Sequence, residues 1–403
     1  MAKRPHSNRR EFLLGRPASS AVDSKANPTE ARQRHFDQTT GNAKPTNYLE
    51  SYAKNAMACE FEFTFNLHQY SQASSATMSA FQLLDQLESQ MTVYRDQSEI
   101  SQLNRTAVGQ PVSLESRLYE LLKRGLAIHE STAGAFDMTA GHLSRIWGFD
   151  RRKGQVPEPE ALRQALDVVG SAMLKFDDET HSISIEQPGV EINLGGIGKG
   201  YALDRISELF RREGISDFLL HGGQSSLLAV GSSEIRPASP NVPAPETDEA
   251  SVDSDTPDDK ETNVNESQRD DSNHAGWIVG ITHPNLPNAR LAELTLRNRS
   301  LGTSGTAKQG FFHRGKRYGH IIDPRTGWPA SHFLSTTVVA PTAAQADALA
   351  TAFFVMSLEE IESFCADHPD VSAILISEIG RTQSQVNVTT LNVNQEDWRL
   401  CHE

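Results

Sequence analysis

The chain has 403 residues, with 38 Lys and Arg against 52 Asp and Glu, a formal charge of −14. An acidic chain lacks the basic surface on which non-specific nucleic-acid binding depends, and no apolar run reaches the roughly 18 residues of a membrane-spanning helix. The three cysteines, Cys59, Cys365 and Cys401, have neither the number for a disulfide framework nor the CxxC spacing of a zinc site, and read as small buried hydrophobes.

The charge is uneven. Residues 1–40 carry eight basic and four acidic side chains, whereas residues 241–275 carry eleven acidic and two basic ones. The second stretch holds almost no large apolar residue, so it cannot bury enough surface to offset its ordering entropy. Residues 233–275 are therefore read as a disordered acidic insertion, and residues 1–50 as a disordered tail. In the tail, Asn8-Arg9-Arg10-Glu11-Phe12-Leu13-Leu14 has the form of a twin-arginine export motif, but the polar sequence behind it lacks an apolar h-region. A cytoplasmic location is the expectation, with export the alternative.

Ordered structure is expected from about Met57. Cys59–Leu67 alternates, with Phe61, Phe63, Phe65 and Leu67 on one face, as a half-buried strand does. Residues 75–90 place Met78, Phe81, Leu84 and Leu87 at helical spacing, and residues 114–131 do the same with Leu118, Leu121, Leu122 and Leu126. Strands are also predicted at Ser182–Glu186, Val190–Leu194, Asp217–His221, Ser226–Val230, Trp277–Ile281, Leu291–Leu296, Arg317–Ile322, Ser335–Ala340 and Val371–Ser377. Helices are predicted at Lys199–Glu213, Ala343–Ser357 and Leu358–Asp367. Strands and helices mixed in this way make an α+β or α/β globule.

Three segments carry recognisable chemistry. Glu191–Asp204 (EINLGGIGKGYALD) reads as a strand, a glycine turn and a helix start. Backbone N–H groups at such a helix start can face an anion, and Lys199 adds a point charge. The segment matches neither Walker A nor GxGxxG, so phosphate binding and a tight structural turn both remain open. Tyr318–Pro329 (YGHIIDPRTGWP) places His320 and Asp323 at a strand-to-turn junction, a position for acid/base work or for a structural histidine. In Ala346–Thr351 (ADALAT), Asp347 and Thr351 are four apart and share a face of an apolar helix. A buried carboxylate needs a partner, and a hard cation such as Mg2+ would take these oxygens. Gly134–Thr139 with Trp147-Gly148-Phe149 reads as a turn with a hydrophobic anchor, and Met91–Asn104 as a capped loop.

The segments MTVYRDQSEISQLN, GAFDMTAGHLSRIWGF, INLGGIGKGYALD, GWIVGITHP, TSG with GKRYGHIIDPRTGWP, and ADALATAFFVM follow one another across roughly residues 57–380. In this order they resemble the ApbE family of FAD:protein FMN transferases. The resemblance implies an α+β fold, a single large mixed α/β globule related to the T-fold. It implies a domain at 51–232 and 276–395, interrupted by the acidic insertion. It also implies a reaction: FAD is split at its diphosphate, FMN passes to a Ser or Thr hydroxyl of an acceptor protein, and AMP leaves. Implied metal ligands are the Ala202 carbonyl, Asp347 and Thr351, with Ala350 adjacent, and the implied ion is Mg2+. Implied flavin contacts are Met57, Tyr94, Ala135, Phe136, Asp137, Lys199, Arg205 and Ile321. Tyr94 is expected to stack on a ring, Asp137 to accept from adenine or ribose, and Lys199 and Arg205 to face the phosphates. His320, with Asp323 beside it, is the candidate base. The family's common GGD or GGN turn is Gly222-Gly223-Gln224 here. Hydrolysis of FAD to FMN and AMP, or flavin carriage without catalysis, are the alternative functions.

Overall fold

The computed structural model describes residues 48–234, 276–306, 310–379 and 385–401. The export-like motif, most of the tail and nearly all of the acidic insertion lie outside the described residues. A hairpin opens the fold, with β1 (Leu49–Ala56) paired to β2 (Cys59–Asn66). Its turn residues Met57 and Ala58 both adopt positive φ, 48° and 60°. The first strand precedes the expected start near Met57, because Leu49 and Glu50 pair with Asn66 and Phe65. Two residues assigned to the tail thus belong to the sheet.

The aromatic alternation in β2 has the predicted effect. Phe61, Phe63 and Phe65 are fully buried under α1 (Ala73–Met91) and α6 (Gly198–Arg212). Phe63 meets Phe81 and Phe210 at centroid distances of 5.3 and 5.7 Å. Met78, placed on the apolar stripe by spacing, points outward and is exposed. Between these two helices the chain forms α2 (Glu99–Thr106), β3 (Val112–Ser113), α3 (Ser116–Ser131), α4 (Gly141–Ile146), α5 (Pro159–Leu166), β4 (Leu174–Asp177) and β5 (Ser182–Ile185).

The second half adds β6 (Phe218–Gly222), β7 (Ser226–Val230), β8 (Trp277–His283), β9 (Leu286–Leu296), β10 (Arg299–Gly305), the separate hairpin β11 (Gly310–His313) and β12 (Lys316–Gly319), and β13 (Ser335–Ala340). Helices α7 (Ala343–Val355) and α8 (Leu358–Asp367) precede β14 (Ser372–Glu378), β15 (Val386–Leu391) and β16 (Trp398–Leu400). Eight strands join in the order β1-β2-β6-β7-β10-β13-β14-β15, antiparallel throughout. Helices α1, α6 and α7 cover one face. The small sheet β16-β9-β8 covers part of the other through Trp277, Val279 and Ile281 against Leu227, Leu301 and Ile374. Central strands β7 and β13 are therefore buried along their whole length, including the polar residues Ser226, Ser335, Thr336 and Thr337.

Three local expectations give way to tertiary structure. Val190–Leu194 joins no sheet: the Ile192 N–H donates to Asn104 Oδ1 at 2.8 Å and the Asn193 N–H to the Met138 carbonyl at 2.7 Å. A side chain and a loop replace the ladder there. The capped loop at Met91–Asn104 holds a helix, α2, whose Ser98 cap accepts from the Ser101 N–H at 3.1 Å. The strand expected over Arg317–Ile322 ends at Gly319, and Ile322 makes only an isolated bridge to Pro329. Among the described residues no helix is long and apolar enough to cross a membrane.

Candidate active site

Helices α6 and α7 cap one another, and the cavity opens where they meet. The α6 N-terminus has no capping side chain of its own. Asp347 of α7 supplies one, its Oδ2 accepting the Gly200 N–H at 3.2 Å. In return Asp204 of α6 accepts the Ala343 and Ala344 N–H groups at 2.8 and 2.9 Å, capping α7. Free N–H groups at a helix start favour a carboxylate in this way. Burial pushes the Asp204 carboxyl up to about 6, against the two backbone N–H groups, which pull it down. The exchange requires close contact: a Cβ on Gly200 would lie 2.0 Å from the Ala343 oxygen, and one on Gly302 of β10 would lie 2.2 Å from the Ala346 oxygen. The run of small residues in α7 is what lets it wedge between them.

The cavity, about 850 Å³, is walled by the Gly195-Gly196 turn, the Ala135–Asp137 loop, β8, β10, the His320–Ile322 segment and α7. Asp347 is one of two buried carboxylates in its wall. The Lys199 ammonium donates to both Asp347 carboxylate oxygens at 3.1 and 3.2 Å, and Ser226 Oγ donates to Oδ1 at 2.8 Å. Thr351 Oγ1 lies one turn on, 3.3 Å from Ser304 Oγ and from the Asp347 carbonyl. The partner demanded by a carboxylate on a buried helix face is therefore, in this structure, an ammonium. A Cβ on Gly196 would come 3.2 Å from Phe136 Cε2 and 3.7 Å from Thr351 Oγ1, so the glycine turn passes close to both.

Asp137 is bound very differently. Its Oδ1 accepts from the Thr139 N–H, Thr139 Oγ1 and Ser171 Oγ at 2.7, 2.6 and 2.8 Å. Its Oδ2 accepts from the Ser171 N–H and lies 3.0 Å from His129 Nδ1. Burial pushes this carboxyl up, but the hydrogen bonds from His129 and Thr139 outweigh it and hold the group below the usual carboxylate range. The hydrogen bond to Asp137 raises His129 in turn, against the effect of its own burial.

Of the residues singled out in the sequence, Ala135, Phe136, Asp137, Lys199, His320, Ile321, Asp347 and Thr351 line the cavity. The others do not. Met57 sits in the β1–β2 turn against the main core, and Tyr94 is 84% exposed. Arg205 is buried on α6 and paired with Glu208. Ala202 is fully buried in α6, and the Ala350 carbonyl accepts from Thr336 Oγ1 at 2.8 Å. Asp323 accepts from the Arg325 N–H and guanidinium at 2.9–3.1 Å and organises the turn rather than the cavity.

Three contributors were given no role from the sequence, although Ser304 and His283 lie in the TSG and GWIVGITHP segments. Ser226 opens an apolar strand and Ser304 sits inside a short TSG run. His283 is 5% exposed and lines the cavity. Its Nδ1 accepts the Asn285 N–H at 3.2 Å, which leaves Nε2 as the donor, and Nε2 has no hydrogen-bond partner among the described residues. A buried donor left unpaired is costly unless a ligand satisfies it. The pKa of His221, also in the wall, is pushed down by burial.

Comparison with known proteins places this architecture. The profile of the ApbE family matches residues 57–254 and 262–375. The FAD:protein FMN transferase of Treponema pallidum is 30% identical over 324 residues, covering 78% of this chain and 80% of that protein. Among solved structures, the flavin transferase ApbE from Vibrio cholerae superposes with a TM-score of 0.66 at 20% identity, covering 86% of this chain and 97% of the other. The ApbE protein from Thermotoga maritima gives 0.65 at 23% identity, covering 83% and 97%.

Proposed function

The chain belongs to the ApbE family, and on that premise we propose that it transfers FMN from FAD to a Ser or Thr hydroxyl of an acceptor protein, releasing AMP. The observation that carries this reading is the arrangement around one cavity of Asp347, Thr351 and Lys199 on two mutually capped helices, with His320 on another wall.

Phosphoryl transfer asks a protein mainly for positioning and charge neutralisation. The glycine turn and the α6 start offer backbone donors to a diphosphate. Lys199 is a flexible point charge that can pair with Asp347 or with a phosphate oxygen. His320 takes the proton of the acceptor hydroxyl as its oxygen attacks the FMN phosphorus. The bond to the bridging oxygen breaks, and AMP carries that oxygen away. His283, as an Nε2–H donor, holds an acceptor atom on one of the ring systems of FAD.

The donor set fits a divalent cation: Asp347 and the hydroxyls of Thr351, Ser226 and Ser304 are all oxygens, which suits Mg2+ better than a softer metal. Such an ion, when bound, neutralises charge on the diphosphate. Asp347 and Thr351 are the residues that would hold it.

The test is labelling. Purified protein with FAD, Mg2+ and an acceptor domain is expected to give a flavin-fluorescent acceptor whose mass rises by one FMN group, with one AMP per label. AMP and free FMN accumulating over an unlabelled acceptor would replace this reading with FAD hydrolysis. Neither product forming while FAD binds would leave a carrier.

A further inference from the structure

We propose that a cationic ridge beside the cavity is the docking surface for the acceptor protein, and that it favours an acceptor with acidic residues around its target hydroxyl. The inference rests on the transferase reading above and adds the chemistry of the partner.

Two loops build the ridge. One is Asp150-Arg151-Arg152-Lys153, following the anchor Trp147–Phe149. The other is the β11–β12 turn, His313-Arg314-Gly315-Lys316-Arg317. Phe311 joins them: its ring lies 5.7 Å from Phe149, and a Cβ on Gly154 would fall 2.0 Å from its Cδ1. Six Lys and Arg against one Asp thus gather on one surface of a chain whose formal charge is −14.

These cations are not consumed by the fold. Arg151 pairs with Asp150 at 3.6 Å, and Arg317 donates to the Thr306 carbonyl. Arg152, Lys153, Arg314 and Lys316 are exposed and have no carboxylate partner among the described residues. Arg152 and Arg314 also occupy turn positions with φ of 53° and 50°, a backbone conformation that glycine or asparagine adopts more easily. Local folding therefore does not ask for arginine at either tip. Phe312 beside them is 75% exposed, an apolar side chain presented to solvent.

Position decides what the ridge meets. β12 runs directly into His320 and Ile321, which wall the cavity, yet none of the six cations lines the cavity itself. They do not serve the FAD diphosphate. β12 connects the turn to the candidate base, and Phe311 stacks on Tyr318, next to that base, at 5.5 Å, so the ridge flanks the cavity where a molecule bringing the hydroxyl would extend past it. A protein partner of opposite charge would be steered to this site and held in register.

The experiment uses the full chain loaded with FAD and two fluorescein-labelled peptides that each carry one Thr, one flanked by Asp and Glu and the other by Lys. Anisotropy is expected to show the acidic peptide binding at least about tenfold more tightly at low ionic strength, with the difference shrinking as salt screens it. Combined Arg152→Glu, Lys153→Glu, Arg314→Glu and Lys316→Glu substitutions should abolish or invert that preference while FAD affinity is unchanged. Should the fourfold variant misfold, Arg314→Ser with Lys316→Ser, checked by FAD binding, should weaken the preference in the same direction. Equal affinity for both peptides, or a preference unaffected by either variant, overturns the proposal. So does binding of phosphatidylglycerol vesicles through these four residues without peptide discrimination, since the ridge would then be a membrane contact. Peptide preference as predicted, but no flavin label on either peptide, leaves the docking surface standing and removes the transferase reading.

Discussion

Asp137 and Asp347 border the same cavity, and both are buried, yet their surroundings differ in kind. Asp137 accepts from Thr139, Ser171 and His129, which engage both of its oxygens. Its donors are backbone N–H groups, two short hydroxyl side chains and the His129 imidazole on α3, all fixed by the fold around them. Asp347 accepts from the Gly200 N–H and Ser226, but its main charge partner is the end of a lysine side chain. One carboxylate is locked into the scaffold. The other is held by a partner that can leave without unfolding anything. Burial alone does not separate a structural acid from a reacting one; the exchangeability of its partner does.

The comparison can be broken or sharpened by substitution. Asp347→Ala should have the largest effect, lowering kcat/KM for transfer by about 10³-fold, read as the initial rate of acceptor labelling; a rate near wild type would remove Asp347 from the chemistry. His320→Gln should lower kcat by about 10²–10⁴-fold, the range for a lost general base, with FAD affinity intact, and a change confined to FAD affinity would make His320 a binding residue instead. His283→Phe removes a single unpaired donor and should weaken FAD binding by about tenfold, since a buried hydrogen bond contributes about 1–2 kcal/mol; comparing AMP with FMN as competitors shows which half of FAD it holds, and unaltered affinity for both would discard the role.

Asp137→Asn should act on stability more than on rate. Loss of its charge leaves His129 without a counterion and should cost about 1–3 kcal/mol, measured by denaturant unfolding. It should also change the pH dependence. The His129 pKa is raised in the fold, so its contribution to stability is complete below its ordinary value of 6.5 and is lost as pH rises through the raised value. That loss should be present in wild type and absent in Asp137→Asn. An identical pH profile in both proteins would show that the pair does not couple to folding.

Much of this was legible in the sequence. The β2 alternation and the apolar stripes of the long helices follow from periodicity, and the spacing of Asp347 and Thr351 marked one wall of the cavity. Other features depend on partners far along the chain. The Val190–Leu194 segment has a strand's composition, yet Asn104 takes its hydrogen bond from 88 residues away. Arg205 lies one helical turn past the glycine-rich start, but its inward orientation pairs it with Glu208 rather than the cavity. Asp204 looked like the end of a motif, and its work is to cap a helix that begins 139 residues later. His283 is visible only through a missing hydrogen bond, which no sequence pattern reports.

The most direct test of the division between the two carboxylates is a titration of the FAD-loaded protein with Mn2+ as a paramagnetic stand-in for Mg2+, followed by electron paramagnetic resonance. Wild type and Asp137→Asn should both bind the ion, and Asp347→Asn should lose it. Binding that survives Asp347→Asn, or disappears in a folded Asp137→Asn protein, would contradict the assignment.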